Sequence, residues 1–190
     1  KNNQLFNFIV KMNPVSFINA KYYDKKSGIK ELADVNEWIP NPEGQVILET
    51  MKYNYLKFYT LEENIDTSLI VKKPTKNIKR NFTQFYYFNS NFPCKFFENQ
   101  AGSFIEIDYI GKLSYFYKED ENDIGKKFET NYTFKENQMI ILIVVAFRNS
   151  LTFYVNGKKV TVLLIENDKV FGNKFLLKLG NINEFSIAGI

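Results

Sequence analysis

Apolar and polar residues alternate along most of this chain with a period of two. That repeat puts successive side chains on opposite faces of a β-strand. Ser150–Val155 is the clearest case, with Leu151, Phe153 and Val155 on one face and Thr152 and Tyr154 on the other. Asn156-Gly157 follows, and these residue types tolerate the positive φ that both centres of a type I′ turn require. A hairpin is therefore predicted, with Val160, Val162 and Leu164 continuing the alternation on the return strand. The same pattern predicts strands at 5–11, 15–23, 45–50, 53–60, 67–72, 82–88, 103–109, 112–118 and 127–134. It adds 138–147, 150–155, 158–165, 174–179 and 184–189.

Turn residues separate many of these runs: Lys26-Ser27-Gly28, Pro42-Glu43-Gly44, Ala101-Gly102, Asn122-Asp123 and Gly172-Asn173. Helical periodicity is nearly absent. The best helical candidate is Lys30–Trp38, closed by Pro40-Asn41-Pro42. Many short strands with little helix imply an all-β fold, an antiparallel sandwich or barrel. No heptad, internal repeat or low-complexity linker interrupts the pattern.

Length fits one large domain, or one domain with an extension: 190 residues against ~150 for a typical domain. No histidine is present, which excludes Ser-His-Asp and Cys-His nucleophiles and the usual imidazole-based zinc and iron sites. Cys94 is the single cysteine, so neither an intrachain disulfide nor a thiolate cluster can form. No cofactor or metal is expected. The longest apolar run, Met139–Phe147, is nine residues, far short of the ~20 of a spanning helix. Lys1-Asn2-Asn3-Gln4 lacks the make-up of a signal peptide. The expectation is a soluble chain, cytoplasmic or secreted without disulfides, with the compartment unassigned. The two Asn-x-Thr sequons, at Asn81 and Asn131, match the number chance gives.

Net charge is +4, mildly basic. Lys72–Arg80 concentrates five cations in nine residues. Such a run suits phosphate contact or a solvated loop around Pro74, and the loop is the preferred reading, without nucleic acid as a partner. Glu106 and Asp108, two apart on a strand, share a face, as the carboxylate pair of a retaining glycosidase would. The further acid of that sandwich-fold hydrolase pattern is replaced by Ile110 or Gly111, so the pair is expected to be solvent-facing. Asp120, Glu121 and Asp123 have oxygens for Ca²⁺ but lack the spaced Asp pattern of a calcium loop.

From Tyr132 onwards the chain resembles a galectin carbohydrate-recognition domain. Tyr132-Thr133-Phe134, the polar turn 135–138, the apolar strand from Met139 and the run Leu151–Gly157 follow that family's order. Phe175–Ile182 resembles its closing strand, with Asn181 where the family has Asp. The resemblance implies a two-sheet, galectin-like jelly-roll over 61–190, with 1–60 as a strand-rich N-terminal extension packed on it. The family's sugar-binding positions fall by alignment on Tyr115, Tyr117, Glu119, Lys126 and Lys127. None retains the family's residue, and the stacking Trp is missing. Losing several hydrogen bonds to a desolvated polar ligand, at ~1–3 kcal/mol each, would abolish β-galactoside binding. Tyr109, Tyr115, Tyr117 or Trp38 could stack on another sugar, or could serve the core or an interface.

The function expected is non-enzymatic: a binding module on a degenerate galectin-like scaffold, for protein interaction or structural assembly. Its partner would be another protein or a second copy of the chain. A lectin for a different glycan is the alternative, and a carboxylate glycosidase comes third.

Overall fold

The computed structural model describes residues 102–164 continuously. Outside that span it describes Gln4, Lys11, Pro93 and the strands β1–β9, β16 and β17; among these, side chains are described for Gln4, Lys11, 83–86, Phe88, Pro93 and Lys95. The strands are β1 (Tyr23–Asp24), β2 (Gly28–Lys30), β3 (Glu37–Pro40), β4 (Gln45–Glu49), β5 (Tyr55–Tyr59) and β6 (Ser68–Val71). Next come β7 (Phe82–Asn89), β8 (Cys94–Phe96), β9 (Glu98–Asn99), β10 (Phe104–Ile107), β11 (Lys112–Tyr117) and β12 (Lys126–Thr133). The last are β13 (Met139–Phe147), β14 (Ser150–Val155), β15 (Lys158–Leu164), β16 (Leu176–Gly180) and β17 (Glu184–Ile187).

The protein is an all-β, antiparallel sandwich. One ladder has seven strands in the order β15-β14-β13-β7-β17-β5-β4. A four-stranded ladder, β12-β11-β10-β8, and a six-stranded one, β1-β2-β3-β6-β16-β9, meet where β9 follows β8 after one residue. Strands from the first 60 residues lie at the ends of two ladders: β1–β3 continue from β6, and β4–β5 from β17.

The alternation in the sequence explains the core. Ile105 and Ile107 of β10 and Leu113, Tyr115 and Tyr117 of β11 are buried. Tyr86 and Phe88 of β7, Ile140, Leu142, Val144 and Ala146 of β13, and Leu151, Phe153 and Val155 of β14 are buried too. Each fully buried Leu, Val or Phe stabilises by about 1.5–3 kcal/mol relative to exposure. The outward residues of β13 (Ile141, Ile143 and Val145) are only half-buried, so this strand reads as apolar on both faces. Gln84 is buried as well, and its Oε1 accepts a hydrogen bond from the Tyr86 hydroxyl at 2.8 Å.

The predicted hairpin forms. Asn156 has φ 50° and Gly157 φ 83°, as a type I′ turn demands. The expected helix at 30–38 does not hold at its ends: Lys30 lies in β2 and Glu37-Trp38 in β3, paired with each other through Ile29↔Trp38 and Lys30↔Glu37. Trp38 and Ile39 also sit opposite Val71 and Ile70. Aromatic and β-branched residues favour such a ladder, and a nine-residue helix has little stability of its own. Lys11, the last residue of the expected strand 5–11, is helical; residues 5–10 lie outside those described. Among the described residues, no helix is long and apolar enough to cross a membrane.

Two ends of the sandwich matter below. The β10–β11 turn (108–111) is tied to Phe134, whose N–H donates to the Gly111 carbonyl at 2.8 Å. Phe134 meets Phe88 edge-on at 6.2 Å, and Phe88 pairs with Ile140. Asn156 bonds Ile141 through its N–H (2.8 Å) and its Oδ1 (2.9 Å). The turns at 108–111, 135–138 and 156–157 therefore share one end, the turn end. The loop 118–125 and the β13–β14 turn (147–150) lie at the other.

Candidate functional site

The residues at the galectin sugar positions do not share a surface. Inward-facing Tyr115 is fully buried and Tyr117 is 8% exposed, their rings 6.4 Å apart. Burial pushes the Tyr115 hydroxyl far above the ordinary tyrosine range, offset in part by the Ser103 hydroxyl. Ser103 is itself committed to the strand end: its hydroxyl accepts the Lys118 N–H (2.8 Å) and donates to the Lys118 carbonyl (3.1 Å). Glu119, Lys126 and Lys127 are exposed. Lys126 reaches over the Phe128 ring, 5.0 Å from its centroid, whereas Lys127 stands opposite Phe116 and lies 3.7 Å from Glu129.

The outward positions of the same sheet lie one residue out of that register. Phe104 and Phe116 stack there at 5.1 Å, with Lys95 Nζ 4.2 Å from the Phe104 ring. Gly125 lies against Phe116 so closely that a Cβ would come 2.3 Å from the ring. The loop backbone thus covers part of the stack.

The carboxylates hold backbone. Asp108 Oδ1 accepts the N–H groups of Ile110 (3.0 Å) and Lys112 (2.9 Å). The Gly111 N–H closes the turn on the Asp108 carbonyl at 2.9 Å, with Gly111 at φ 89°. Glu106 remains on the strand, half-buried and opposite Lys95 and Ser114. In the acidic loop, Asp120 Oδ1 accepts from Asn122 (2.8 Å) and Asp123 (3.1 Å). Asp123 accepts from Glu119 (3.0 Å) and Gly125 (3.2 Å), which hold its carboxyl below the usual range. Among the described residues, no three metal-ligating side chains converge.

Exposed apolar side chains sit in two places that stand out. The first is the apex of the Asp108 turn, where Tyr109 is 79% and Ile110 60% exposed. The second is a corner of the seven-stranded sheet. In the β14–β15 ladder Val155 opposes Lys158 and Tyr154 opposes Lys159, but Phe153 opposes Thr161, so Val160 is an extra, bulged residue. One inserted residue reverses the faces of everything after it. Val162 (45% exposed) and Leu164 (71%) consequently point out, in register with Thr152 and Ser150. Ser150 also pairs with Phe147, 54% exposed, so Phe147 and Leu164 flank it across three strands. The β15 strand ends the seven-stranded ladder, with β12 of the other sheet lying near it.

Reading the sequence found Tyr109 but not the corner. The expected strand 103–109 took in Asp108 and Tyr109; β10 ends at Ile107 and both lie in the turn, which Asp and Gly at its first and fourth positions could have signalled. The bulge had no such signal: the alternation expected of Val160, Val162 and Leu164 fits an uninterrupted ladder, and the pairing of Phe153 with Thr161 breaks it. The side chain of Trp38 and the basic run 72–80 lie outside the described residues.

No family model matches the sequence, and no curated protein matches it. The fold is similar to that of solved binding domains. One is the binding domain of botulinum neurotoxin DC in complex with rat synaptotagmin II (13% identity, TM-score 0.63, covering 93% of this chain and 47% of that one). Another is a structure of botulinum neurotoxin type C, whose cell entry is described as dependent on two ganglioside molecules (14%, TM-score 0.66, 95% and 48%). A third is the carbohydrate-binding module CBM66 from Bacillus subtilis (14%, TM-score 0.50, 80% and 91%). The chain spans about half the length of the toxin domains but nearly all of the carbohydrate-binding module.

Proposed function

We propose that this chain is a non-enzymatic binding module that acts by protein interaction, pairing through the β15 corner with another copy of itself. The observation that carries this is the bulge at Val160, which turns Val162 and Leu164 out beside Phe147 on an edge strand. β15 carries charge at its start, Lys158 and Lys159, and is apolar over its second half, where an edge is a template for strand addition. The commitment of Asp108 to its turn supports a non-enzymatic role, since a glycosidase needs both carboxyls free. We take residues 1–60 as an extension integrated into the sandwich, supported by the pairing of β1–β5 at the ends of its ladders.

Sedimentation of the purified chain tests this. Self-association is expected, and the double variant Val162→Lys/Leu164→Lys should be monomeric with an unchanged circular dichroism spectrum. A wild-type chain that stays monomeric at the highest concentration reached would overturn it.

A lectin-type function is the second reading, on the galectin resemblance of Tyr132–Ile182 and the exposed ring of Tyr109. Glu119, Lys126 and Lys127 would offer charged hydrogen-bonders at the opposite end. A glycan array with Tyr109→Ala and Lys126→Ala/Lys127→Ala as controls decides it. Reproducible retention of one sugar class, lost in one control, would favour this reading; a blank array from folded protein would remove it.

A further inference from the structure

The turn end carries a different surface from the β15 corner. Tyr109 and Ile110 protrude side by side from a turn that Asp108 holds with two side-chain hydrogen bonds. The apex therefore presents an aromatic and an aliphatic group with little conformational freedom. Among the residues whose side chains are described, Lys112, Lys135, Lys158 and Lys159 stand at the same end, with Asp108 and Glu136. Asp108 is turned into its own backbone, and Lys112 lies 3.4 Å from Glu129. Lys135, Lys158 and Lys159 are exposed. The opposite end concentrates four carboxylates in the loop Glu119–Asp123. Among the described residues the turn end carries more lysines than carboxylates, whereas at the opposite end the loop carboxylates are matched by Lys118, Lys126, Lys127 and Arg148.

We infer that the turn end docks on an anionic lipid bilayer. Tyr109 and Ile110 enter the headgroup boundary, the aromatic ring at the interface and the aliphatic chain beneath it. Lys135, Lys158 and Lys159 lie over anionic headgroups, each strengthening binding about fivefold. The acidic loop faces away from the surface, which sets the orientation. Two protruding apolar side chains with lysines at the same end suit a fluid, anionic surface better than a shaped protein pocket, which would need a broad, desolvated patch around its anchors. This surface takes Lys158 and Lys159 from the start of β15, so Tyr109→Ser/Ile110→Ser, which leaves β15 unchanged, separates it from self-association through that strand.

The test is co-sedimentation of the full chain with phosphatidylcholine vesicles, with and without phosphatidylserine. Binding is expected only to the vesicles with phosphatidylserine, and to weaken in high salt. The variants Tyr109→Ser/Ile110→Ser and Lys158→Glu/Lys159→Glu should each weaken it at least about tenfold. Ile124→Ser, 94% exposed at the acidic end, should leave it unchanged. Both turn-end variants keep Asp108 and Gly111, and matching melting curves would exclude misfolding. Absence of binding from folded protein, binding equal on neutral vesicles, or loss caused equally by Ile124→Ser would overturn the inference. Vesicle binding lost in Val162→Lys/Leu164→Lys but kept in Tyr109→Ser/Ile110→Ser would overturn it too, assigning the contact to β15. Retention on a glycan array through Tyr109 with blank vesicles would replace the lipid by a sugar.

Discussion

Thr161, not Val160, stands opposite Phe153 in the β14–β15 ladder. With an uninterrupted ladder from the Asn156-Gly157 turn, Val160 would face Phe153 and Val162 would face Leu151, both towards the core. The bulge instead gives the inward places to Thr161 and Leu163, and leaves Val162 and Leu164 to the outside. A change of one residue in register thus moves two large apolar side chains from one face to the other.

The energetic consequence is a contrast along one ladder. Leu164→Thr, at an exposed site, should change the stability of the dissociated chain by less than about 0.5 kcal/mol. Leu151→Ala, at a fully buried site on the neighbouring strand β14, should cost about 2–5 kcal/mol. Urea denaturation at low protein concentration measures both; equal losses would mean that β15 is packed the other way up.

Asp108→Ala removes the acceptor of two backbone N–H groups at the β10–β11 turn. A loss of about 1–2 kcal/mol is expected, read from the denaturation midpoint. Asp108→Asn keeps a carbonyl oxygen of the same reach and should recover most of it. Neither change should affect any hydrolysis, and the same holds for Glu106→Gln; an activity lost in that variant would reinstate the glycosidase.

Gly125 and Gly157 both have positive φ, 81° and 83°. Their surroundings differ. A Cβ at Gly125 would meet Phe116 Cζ at 2.3 Å, whereas one at Gly157 meets nothing within 4 Å. Gly157→Ala should therefore cost only the backbone conformation, about 1–2 kcal/mol. Gly125→Ala adds displacement of the ring and should cost about 1–3 kcal/mol more. Near-equal melting temperatures for the two variants would show that the 118–125 loop moves freely off Phe116.

Two pH effects have opposite signs. The Asp123 carboxyl is held low by the Glu119 and Gly125 N–H groups, so its contribution is present above the unfolded carboxylate pKa of ~3.9. It is lost as pH falls through the lower folded value, and Asp123→Asn should remove that part of the acid dependence. Tyr86 and Tyr115 are raised by burial, so they favour the fold in their neutral forms. Their contribution is complete below pH ~10 and declines as pH rises above it. Tyrosinate absorbance should show these two rings ionising only together with alkaline unfolding.

Local patterns carried much of this molecule. The hairpin at Asn156-Gly157 needed only neighbouring residues, because a type I′ turn selects its residues by φ. The Asp108 turn was missed within the expected strand 103–109, although Asp108 and Gly111 stand at its first and fourth positions. Lys30–Trp38 misled because the partners of β3 are distant in sequence: Trp38 and Ile39 are held by Val71 and Ile70. Cys94–Phe96 and Glu98–Asn99 were not anticipated as strands; β8 is held by β10, and β9 by β16 from the far end of the chain.

Alternation and turn chemistry were enough to point to an all-β sandwich or barrel, and the lack of histidine to exclude imidazole-based nucleophile and metal chemistry. They work residue by residue, through φ preferences and side-chain reactivity, and need no knowledge of neighbours in space. Which face each strand shows to solvent was decided by pairing. Tyr115 and Tyr117 went into the core and Phe116 outwards, Val162 and Leu164 went to the surface, and Tyr109 stayed exposed at an apex. A period of two says that faces alternate but not which one is buried; only a partner strand's register, bulge included, makes that choice.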